Sequence, residues 1–419
     1  MKQYNGGDMM KSVWSESCNF GKREELNGDI RVDVLVIGAG IAGILTGYIL
    51  SQRGRDVVLI EKDKITSGNT KNTTAKITSQ HYLIYDKLIS EFGEEKARKY
   101  AKANELAIKK YKEIIEERRI DCDFEEVPAF VYSLNEVDLI KKEVEAAKRV
   151  GIDAEFVDKI NLPLDIKGAV KFNNQAQFNP LKFLVDITKE LKIYENTRAI
   201  KVEDNIVETN KGKIIANEIV VATHYPIINV PGFYFMKMHQ ERSYVIALEN
   251  AQKVDGMYID YESNGYSFRD ATGFNKWGMT SSMVSAMIIS DLITQQENDF
   301  SEIFSPHRFD LSLSIKNVAK DMATTAKNFI AQKVYIPSSE IEHIKNGHGG
   351  IVKYDGQKVG VYKDDDGKIF TVSPKCSHLG CELHWNADES TWDCPCHGSR
   401  FDYKGNLIDS PAIKNIKKN

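Results

Sequence analysis

Four residues near the C-terminal end have the types and spacing to hold a redox metal. Cys376-Ser-His378 is followed, after fifteen intervening residues, by Cys394-Pro-Cys396-His397. The two pairs, C-x-H and C-x-x-H, offer two thiolates to one iron and two imidazoles to another. This is the ligand set of a Rieske-type [2Fe–2S] centre, in which two histidines replace two cysteines on one iron. Such a centre passes electrons singly. Structural zinc also takes Cys and His, but its fingers pair C-x2–4-C with H-x3–5-H and do not use the mixed C-x-H.

Two further cysteines, Cys381 and Cys396, stand beside these ligands and are surplus to a four-ligand centre. The boxes Cys376-Ser-His-Leu-Gly-Cys381 and Cys394-Pro-Cys-His-Gly-Ser399 resemble the Rieske proteins of cytochrome bc-type complexes. That resemblance implies a disulfide between Cys381 and Cys396. The competing reading is two buried free thiols, since disulfides are unusual in a reducing cytosol. Cys18 and Cys122 lie far away in sequence and read as isolated thiols. Rieske domains of high potential usually carry Tyr two residues after the Ser of the second box. Here that position is Phe401. Ser399 can still donate to a cluster sulfur, but the phenolic donor is gone. Hydrogen bonds to the sulfurs raise the potential, so the expected value lies in the lower part of a range of about −150 to +300 mV.

The rest of the chain has to support such a centre. At 419 residues, two or three domains are expected. The hydrophobic and charged fractions, 42% and 28%, are those of an ordinary globular protein, and a net charge of −4 argues against a nucleic-acid binder. Met1 to Trp14 has neither an apolar core nor a small-residue cleavage site. No run of about eighteen apolar residues occurs, so no membrane span is expected. These features together predict a cytoplasmic protein.

A second cofactor site begins at Val32. Val32 to Ile37 is an apolar run that reads as a buried strand. It leads into Gly38-Ala39-Gly40-Ile41-Ala42-Gly43. A helix follows, with Ile41, Leu45, Tyr48 and Ile49 on one face and Gly54 as its stop, and then a strand Val57-Val-Leu-Ile-Glu61. Strand, G-x-G-x-x-G, helix, strand and terminal acid form the dinucleotide fingerprint. Gly38 makes the tight turn, Gly40 lets backbone approach a pyrophosphate, and Gly43 lets the helix pack on the strand. Glu61 is placed for a ribose hydroxyl.

The fingerprint alone does not separate FAD from NAD. Three later segments bear on that choice: Ser67-Gly-Asn-Thr70-Lys-Asn-Thr-Thr74-Ala75-Lys76-Ile-Thr78, Ala216-Asn-Glu-Ile-Val-Val-Ala222-Thr223, and Ala271-Thr-Gly-Phe-Asn-Lys-Trp-Gly278-Met279-Thr280. Together they resemble the D-amino-acid-oxidase-like FAD oxidoreductases, specifically the bacterial subgroup with a C-terminal Rieske domain. The resemblance covers nearly the whole chain. It implies FAD held at residues 38–43, Glu61, Lys62, Thr70, Thr74, Ala75, Lys76, Ala222, Thr223, Gly278, Met279 and Thr280. Residues 67–76 would run beside the flavin, and Gly278 would lie under the pyrimidine edge of the ring. No Cys or His matches a flavin attachment point, so binding should be non-covalent. Independently, a helix opening at Gly278 and running to about Ile293 points free N–H groups and roughly +0.5 charge at whatever stands before it. Met283, Met287, Ile288 and Leu292 are its expected inner face.

The expected fold is a Rossmann-like α/β FAD-binding domain with an antiparallel substrate-side sheet, spanning 1–332, and a small all-β Rieske domain over 335–419. The nucleotide-binding unit is 31–78. The substrate-side insert is about 80–200 plus 225–270. Helices are expected at about 94–118, with Ala97, Tyr100, Ala101, Ile108, Tyr111 and Ile115 on one side, and at 135–150. Asn179-Pro180 reads as N-cap and first helical residue. Strands are expected over 198–223 with a turn near Lys211-Gly212, and over 227–260. Hairpin signals stand at Asp355-Gly356, Asp366-Gly367 and Lys404-Gly405. The chain passes from Tyr266-Ser-Phe-Arg269-Asp270 directly to Ala271, where relatives have a long segment supplying substrate-domain strands. That deletion would open the site, shrink the substrate, or abolish turnover.

Three functions compete. The first is an enzyme in which substrate reduces the flavin and electrons pass singly to the cluster and an external donor or acceptor protein. By the resemblance its substrate is an amine or amino acid. The second is a non-catalytic electron-transfer or redox-sensing protein. The third, oxygenase chemistry, needs a 2-His-1-carboxylate iron site, and His81, His224 and His239 are scattered. No catalytic residue is assigned by the sequence. His81 and Lys76 are near-flavin candidates by position.

Overall fold

The computed structural model describes residues 12, 14–15, 17–225, 227, 253–262, 267–268, 278–305, 341–409 and 411–417. The strands expected over 228–252, His239, the junction at 269–277 and the domain boundary at 331–340 lie outside the described residues. The chain divides into two compact units.

The larger unit is built on a six-stranded sheet. Its centre is β1 (Ile30–Ile37), with β2 (Val57–Ile60) on one side and β12 (Lys213–Val221) on the other, both parallel to it. β9 (Lys192–Tyr194) continues the parallel run beyond β2, and β10 (Ala199–Glu203) and β11 (Ile206–Thr209) add antiparallel strands at the opposite edge. Val34, Leu35 and Val36 are fully buried. A strand covered on both faces reads as a continuous apolar run, which is why β1 was recognisable. α1 (Ile41–Gln52) packs against α6 (Gly278–Ile293). α1 is apolar and buried nearly all round, as befits a helix with no solvent face.

The substrate-side sheet runs β14 (Ser267–Phe268), β13 (Met257–Asp260), β5 (Ala129–Ser133), β7 (Gly168–Phe172), β6 (Ala154–Val157). It is antiparallel except at one seam, where β13 lies parallel to β5. A short third sheet joins β3 (Lys76–Ile77), β8 (Ala176–Gln177) and β4 (Glu125–Glu126).

α2 (Tyr85–Phe92), α3 (Glu94–Arg118) and α4 (Asp138–Arg149) are the charged helices. α3 has the expected bounds, and its expected inner residues are buried apart from half-buried Tyr100. α4 starts at Asp138, later than expected, because the Ser133 hydroxyl accepts the Asn135 and Glu136 amides and holds that stretch in a turn. The buried Glu143 of α4 accepts the Tyr85 and Asp86 amides at 2.8 and 3.0 Å, capping α2 from a different helix. α5 (Pro180–Ile187) is capped by the Asn179 side chain, whose Oδ1 accepts from the Leu181 and Lys182 amides. Ser301–Phe304 forms a short helix, α7. The inner face of α6 differs from expectation: Met283 and Ile288 are buried, Met287 is half-buried and Leu292 is 61% exposed, while Val284 and Ala286 are buried as well.

The smaller unit holds only β structure and one 3-10 turn among its described residues. β15 (His348–Tyr354), β16 (Gln357–Lys363) and β17 (Ile369–Val372) form one antiparallel sheet. β18 (His384–Asn386), β19 (Thr391–Asp393), β20 (Arg400–Asp402) and β21 (Leu407–Asp409) form the other. Asp355 and Gly356 both take positive φ, +46° and +75°, the twist-matched turn that a D-G pair favours. Trp392 and Phe401 face each other across β19 and β20 and are fully buried.

Candidate cofactor sites

The two metal-type boxes occupy equivalent places in the smaller unit. The first fills the gap between β17 and β18, the second that between β19 and β20. Each closes on itself. The Cys376 amide donates to the Cys381 carbonyl (2.8 Å) and Gly380 to Cys376 (2.9 Å); Cys394 donates to Ser399 (2.8 Å) and Gly398 to Cys394 (2.9 Å). Gly380 and Gly398 both sit near φ +80° (+78° and +82°), which the tight turns require. Cys381 and Cys396 are joined by a disulfide, Cα to Cα 6.7 Å, tying the loops together. The sulfurs of Cys381, Cys394 and Cys396 lie within 4.8 Å of one another. Being oxidised, the disulfide sulfurs are not thiolate ligands, so they form the wall of the site.

Cys376 and Cys394 are free and buried. The Cys394 side chain, the His378 and Leu379 amides and the Ser399 hydroxyl surround the Cys376 sulfur and favour its thiolate. Together they hold Cys376 down at about 6 against burial. The same contact and burial push Cys394 up. Burial, aided by its neighbour His397, holds His378 down at about 4, so its imidazole is neutral at pH 7, the form a metal needs. The two rings stand edge to face, centroids 5.1 Å apart. Two adjacent sulfurs and two adjacent imidazoles, on loops locked together, fit the two-plus-two donor set of a Rieske cluster.

The tail 411–417 braces both loops. Ser373 donates to the Lys417 carbonyl and the Ser377 hydroxyl to that of Lys414. The Ala412 amide donates to the Ser399 hydroxyl at 3.0 Å, fixing that hydroxyl, which helps to hold Cys376 down. Phe401 is fully buried with no polar hydrogen to offer. Phe401→Tyr is therefore expected to raise the cluster midpoint potential if its hydroxyl reaches a sulfur. Protein-film voltammetry of the two proteins checks this, and an unchanged or lower value would count against it.

In the larger unit, Gly38 takes φ +107°, and a Cβ there would stand 2.8 Å from the Ala222 carbonyl oxygen. Ala222 closes over the turn by donating to Ile37 (2.9 Å). A Cβ on Gly43 would stand 2.0 Å from the Gly38 carbonyl oxygen. Gly40 offers α1 no side-chain cap; Thr70 serves instead, its hydroxyl accepting the Ile41 amide at 3.0 Å. The Glu61 carboxylate accepts from Ala39 (2.9 Å) and Asp63 (3.1 Å), with burial raising its pKa. A carboxylate has about four lone-pair sites, so it retains capacity for a ribose hydroxyl. Lys62 is exposed and pairs with Asp63. A glycine turn that admits no side chain, at the amino end of a buried helix, with an acid behind it, fits a dinucleotide pyrophosphate.

Thr74 and Ala75 are buried, and Ala75 takes φ +52°. Lys76, 3% exposed, reaches the Tyr258 carbonyl at 3.4 Å and the Ser267 hydroxyl, linking this segment to the substrate-side sheet. Asn69 bonds His224, one residue beyond half-exposed Thr223. At the opening of α6, Gly278 is exposed and Met279 and Thr280 are buried. Tyr111 donates to the Met279 carbonyl (3.1 Å), and Thr280 to the Thr78 carbonyl (3.0 Å). His81 joins the same seam: its Nε2 lies 3.0 Å from the Thr78 oxygen and 3.2 Å from the Thr280 hydroxyl, and its Nδ1 2.6 Å from the Tyr100 hydroxyl. The sequence pointed to His81 by position alone. It missed Thr78 and the polar role of Tyr100, for which the only signal was a run of polar residues, Thr78-Ser-Gln-His81, in a buried stretch.

Burial holds His81 down at about 4, against an ordinary value of 6.5. The unfolded chain therefore takes up a proton near pH 6.5 that the folded chain refuses until about pH 4. Stability from this group is complete above pH 6.5 and falls as pH drops toward 4, by about 3 kcal/mol. Denaturant unfolding at pH 7 and pH 4.5 should show His81→Gln losing less stability on acidification than the unmodified chain. Equal losses would contradict the assignment.

Among the described residues no helix is long and apolar enough to cross a membrane. The sequence profile of the FAD dependent oxidoreductase (DAO) family matches residues 33–270, and that of the Rieske [2Fe-2S] domain matches 334–419. The chain is 33% identical to the Rieske 2Fe-2S iron-sulfur protein YhfW of Bacillus subtilis, over 502 aligned positions covering 99% of each chain. With 419 residues here, at least 83 of those positions (502 less 419) have no residue in this chain. The Rieske region is 35% identical over 82 residues to the cytochrome b6-f complex iron-sulfur subunit of Chlorobaculum tepidum, covering 20% of this chain and 43% of that one. Among solved structures, glycine oxidase from Geobacillus kaustophilus aligns with a TM-score of 0.49 at 14% identity, over 67% of this chain and 99% of that one. The family match spans more than half the chain, and the YhfW match spans nearly all of it. The chain is a member of the DAO family of FAD-dependent oxidoreductases, an enzyme carrying FAD and a C-terminal Rieske [2Fe–2S] domain.

Proposed function

We propose that this enzyme oxidises an amine or amino acid by hydride transfer and passes the electrons through its cluster to an external redox protein. Bound FAD supplies the conversion between two-electron and one-electron chemistry, and the cluster supplies single-electron transfer. Gly38 to Gly43 and Glu61 hold the nucleotide end of FAD without a covalent bond. Thr70, Thr74 to Lys76, Ala222 and Thr223 border it, Lys62 stands at its outer rim, and Gly278 to Thr280 present the amino end of α6 to the ring. Cys376 and Cys394 hold one iron, His378 and His397 the other, with Cys381–Cys396 as the tie between loops. The flavin domain extends to about residue 332, and the Rieske domain covers 335–419.

One observation carries the flavin-site reading. The two segments that would flank the ring, 74–81 and 278–280, are knit into one buried seam through Thr78, His81 and Thr280. Neither segment is neighbour to the other in sequence, and the seam gives both a fixed position. The substrate class comes from family membership. Titrating the holoenzyme anaerobically with amines and amino acids tests the reading. Bleaching of the flavin followed by the signal of a reduced Rieske cluster is expected. A flavin that no such compound bleaches, while dithionite still reduces it, would favour the non-catalytic electron carrier.

A further inference from the structure

The two metal-type loops, 373–381 and 394–399, and the tail 411–417 that braces them hold three lysines, Lys375, Lys414 and Lys417, and no acid. The other described residues of the smaller unit, 341–372, 382–393 and 400–409, carry eleven acids against seven bases. Positive charge is therefore gathered at the end that bears the loops. The three lysines are exposed, and among the described residues no carboxylate pairs with them. The cations just outside these segments behave differently. Arg400 meets Asp393 at 3.2 Å and Asp409 at 3.3 Å. Glu382, bridged to Lys375 through backbone, gives its carboxylate to Lys358 at 2.6 Å.

The same segments expose two large apolar side chains, Leu379 (53%) and Ile413 (66%). Leu379 follows the half-buried ligand candidate His378. The Ser377 hydroxyl, bonded to the Lys414 carbonyl, joins the first loop to the tail. The tail is itself fixed: Ala412 and Ile416 are buried, the Ile416 amide donates to Gly405 at 3.0 Å, and Asn415 accepts the Leu407 amide at 2.9 Å.

We infer that this end of the unit docks a small acidic one-electron carrier protein, with Leu379 and Ile413 as the dry centre and Lys375, Lys414 and Lys417 as the rim. It rests on one part of the reading above, that the cluster exchanges electrons with an external redox protein. One electron passes from the reduced cluster to the oxidised carrier, and no covalent bond forms or breaks. A carrier must leave after each transfer, so a small apolar centre with a charged rim suits it better than a large apolar face. The rim lysines draw the acidic partner in and set its orientation, an effect that salt screens. The chain as a whole is −4, which would favour a basic partner, so the local and the overall charge predict opposite preferences.

The probes are an acidic plastocyanin and a basic c-type cytochrome. Calorimetry measures binding of each to the oxidised holoenzyme, and stopped flow measures reoxidation of the dithionite-reduced cluster, at low and at high salt. The unmodified protein should bind plastocyanin more tightly than the cytochrome at low salt, and lose that preference as salt rises. Lys375→Glu, Lys414→Glu and Lys417→Glu together should weaken plastocyanin binding and slow reoxidation roughly tenfold or more at low salt, with convergence at high salt. Ile413→Ser should weaken binding at both salt concentrations alike. An unchanged cluster paramagnetic signal shows that the fold held. If the charge reversals prevent cluster assembly, Lys375→Gln, Lys414→Gln and Lys417→Gln replace them, with the same loss of salt dependence expected. Equal plastocyanin binding by the unmodified and substituted proteins, or a preference for the cytochrome, overturns the docking face. A mass by light scattering that doubles at low salt in the unmodified protein alone overturns it in favour of a second copy. Neither measurement needs substrate. A flavin that amines and amino acids fail to bleach would thus remove the proposed reaction and leave the docking face standing, and failed docking would leave the reaction standing.

Discussion

Gly43→Ala is expected to give a chain that binds no flavin. The added Cβ would stand 2.0 Å from the Gly38 carbonyl oxygen, a backbone atom with nowhere to go. Relief requires α1 to back away from β1, which opens the turn between them and withdraws the helix amino end from any pyrophosphate. Overpacking of a well-packed site costs about 1–3 kcal/mol, and more where backbone must shift. Gly47→Ala is the matched control on the same helix: its Cβ would meet the Leu59 side-chain end at 2.9 Å, which can rotate aside. Flavin per chain, read from absorbance of the purified proteins, should fall to near zero for Gly43→Ala and stay close to one for Gly47→Ala. A fully loaded Gly43→Ala protein would refute the cradle.

His378→Ala or His397→Ala should abolish the electron-paramagnetic signal of the reduced Rieske cluster and leave flavin absorbance intact. Each substitution strips one of two imidazoles from one iron, and no other histidine in the loops can replace it. The selectivity follows from the division into two compact units, each with its own buried core. If both cofactors vanished together, the units would be folding as one body and the division would be wrong.

The elements legible in the sequence were those governed by local rules. The β1–glycine turn–α1–β2 run was legible because each glycine answers a nearby steric demand. α3 was legible because Gly93 and a long 3.6-residue periodicity frame it. What stayed hidden depends on contacts between distant residues. Glu143 reads as a surface acid of α4, yet it caps α2 from 57 or more residues away. The parallel seam of β13 with β5 is invisible to patterning, since alternation is the same for either direction. In the cofactor sites, the four cluster ligands announced themselves by spacing. Thr78 and Tyr100 did not, because their chemistry exists only where α3 and α6 converge.

The pairing of β1 with β12 has a consequence for synthesis on the ribosome. Asp29 and Lys213, bonded at the start of that pairing, are 184 residues apart. At about 5–20 residues per second, the first strand emerges roughly 10 to 40 s before its partner exists. For that interval a strand whose Val34–Ile37 half is wholly apolar has one edge unpaired, and α1 lacks α6, which is made later still. Such a segment is an invitation to pair with a neighbouring nascent chain. Yield on overexpression should therefore depend on translation speed and on chaperones that bind extended apolar segments, even though the finished fold buries Val34 to Ile37 almost completely.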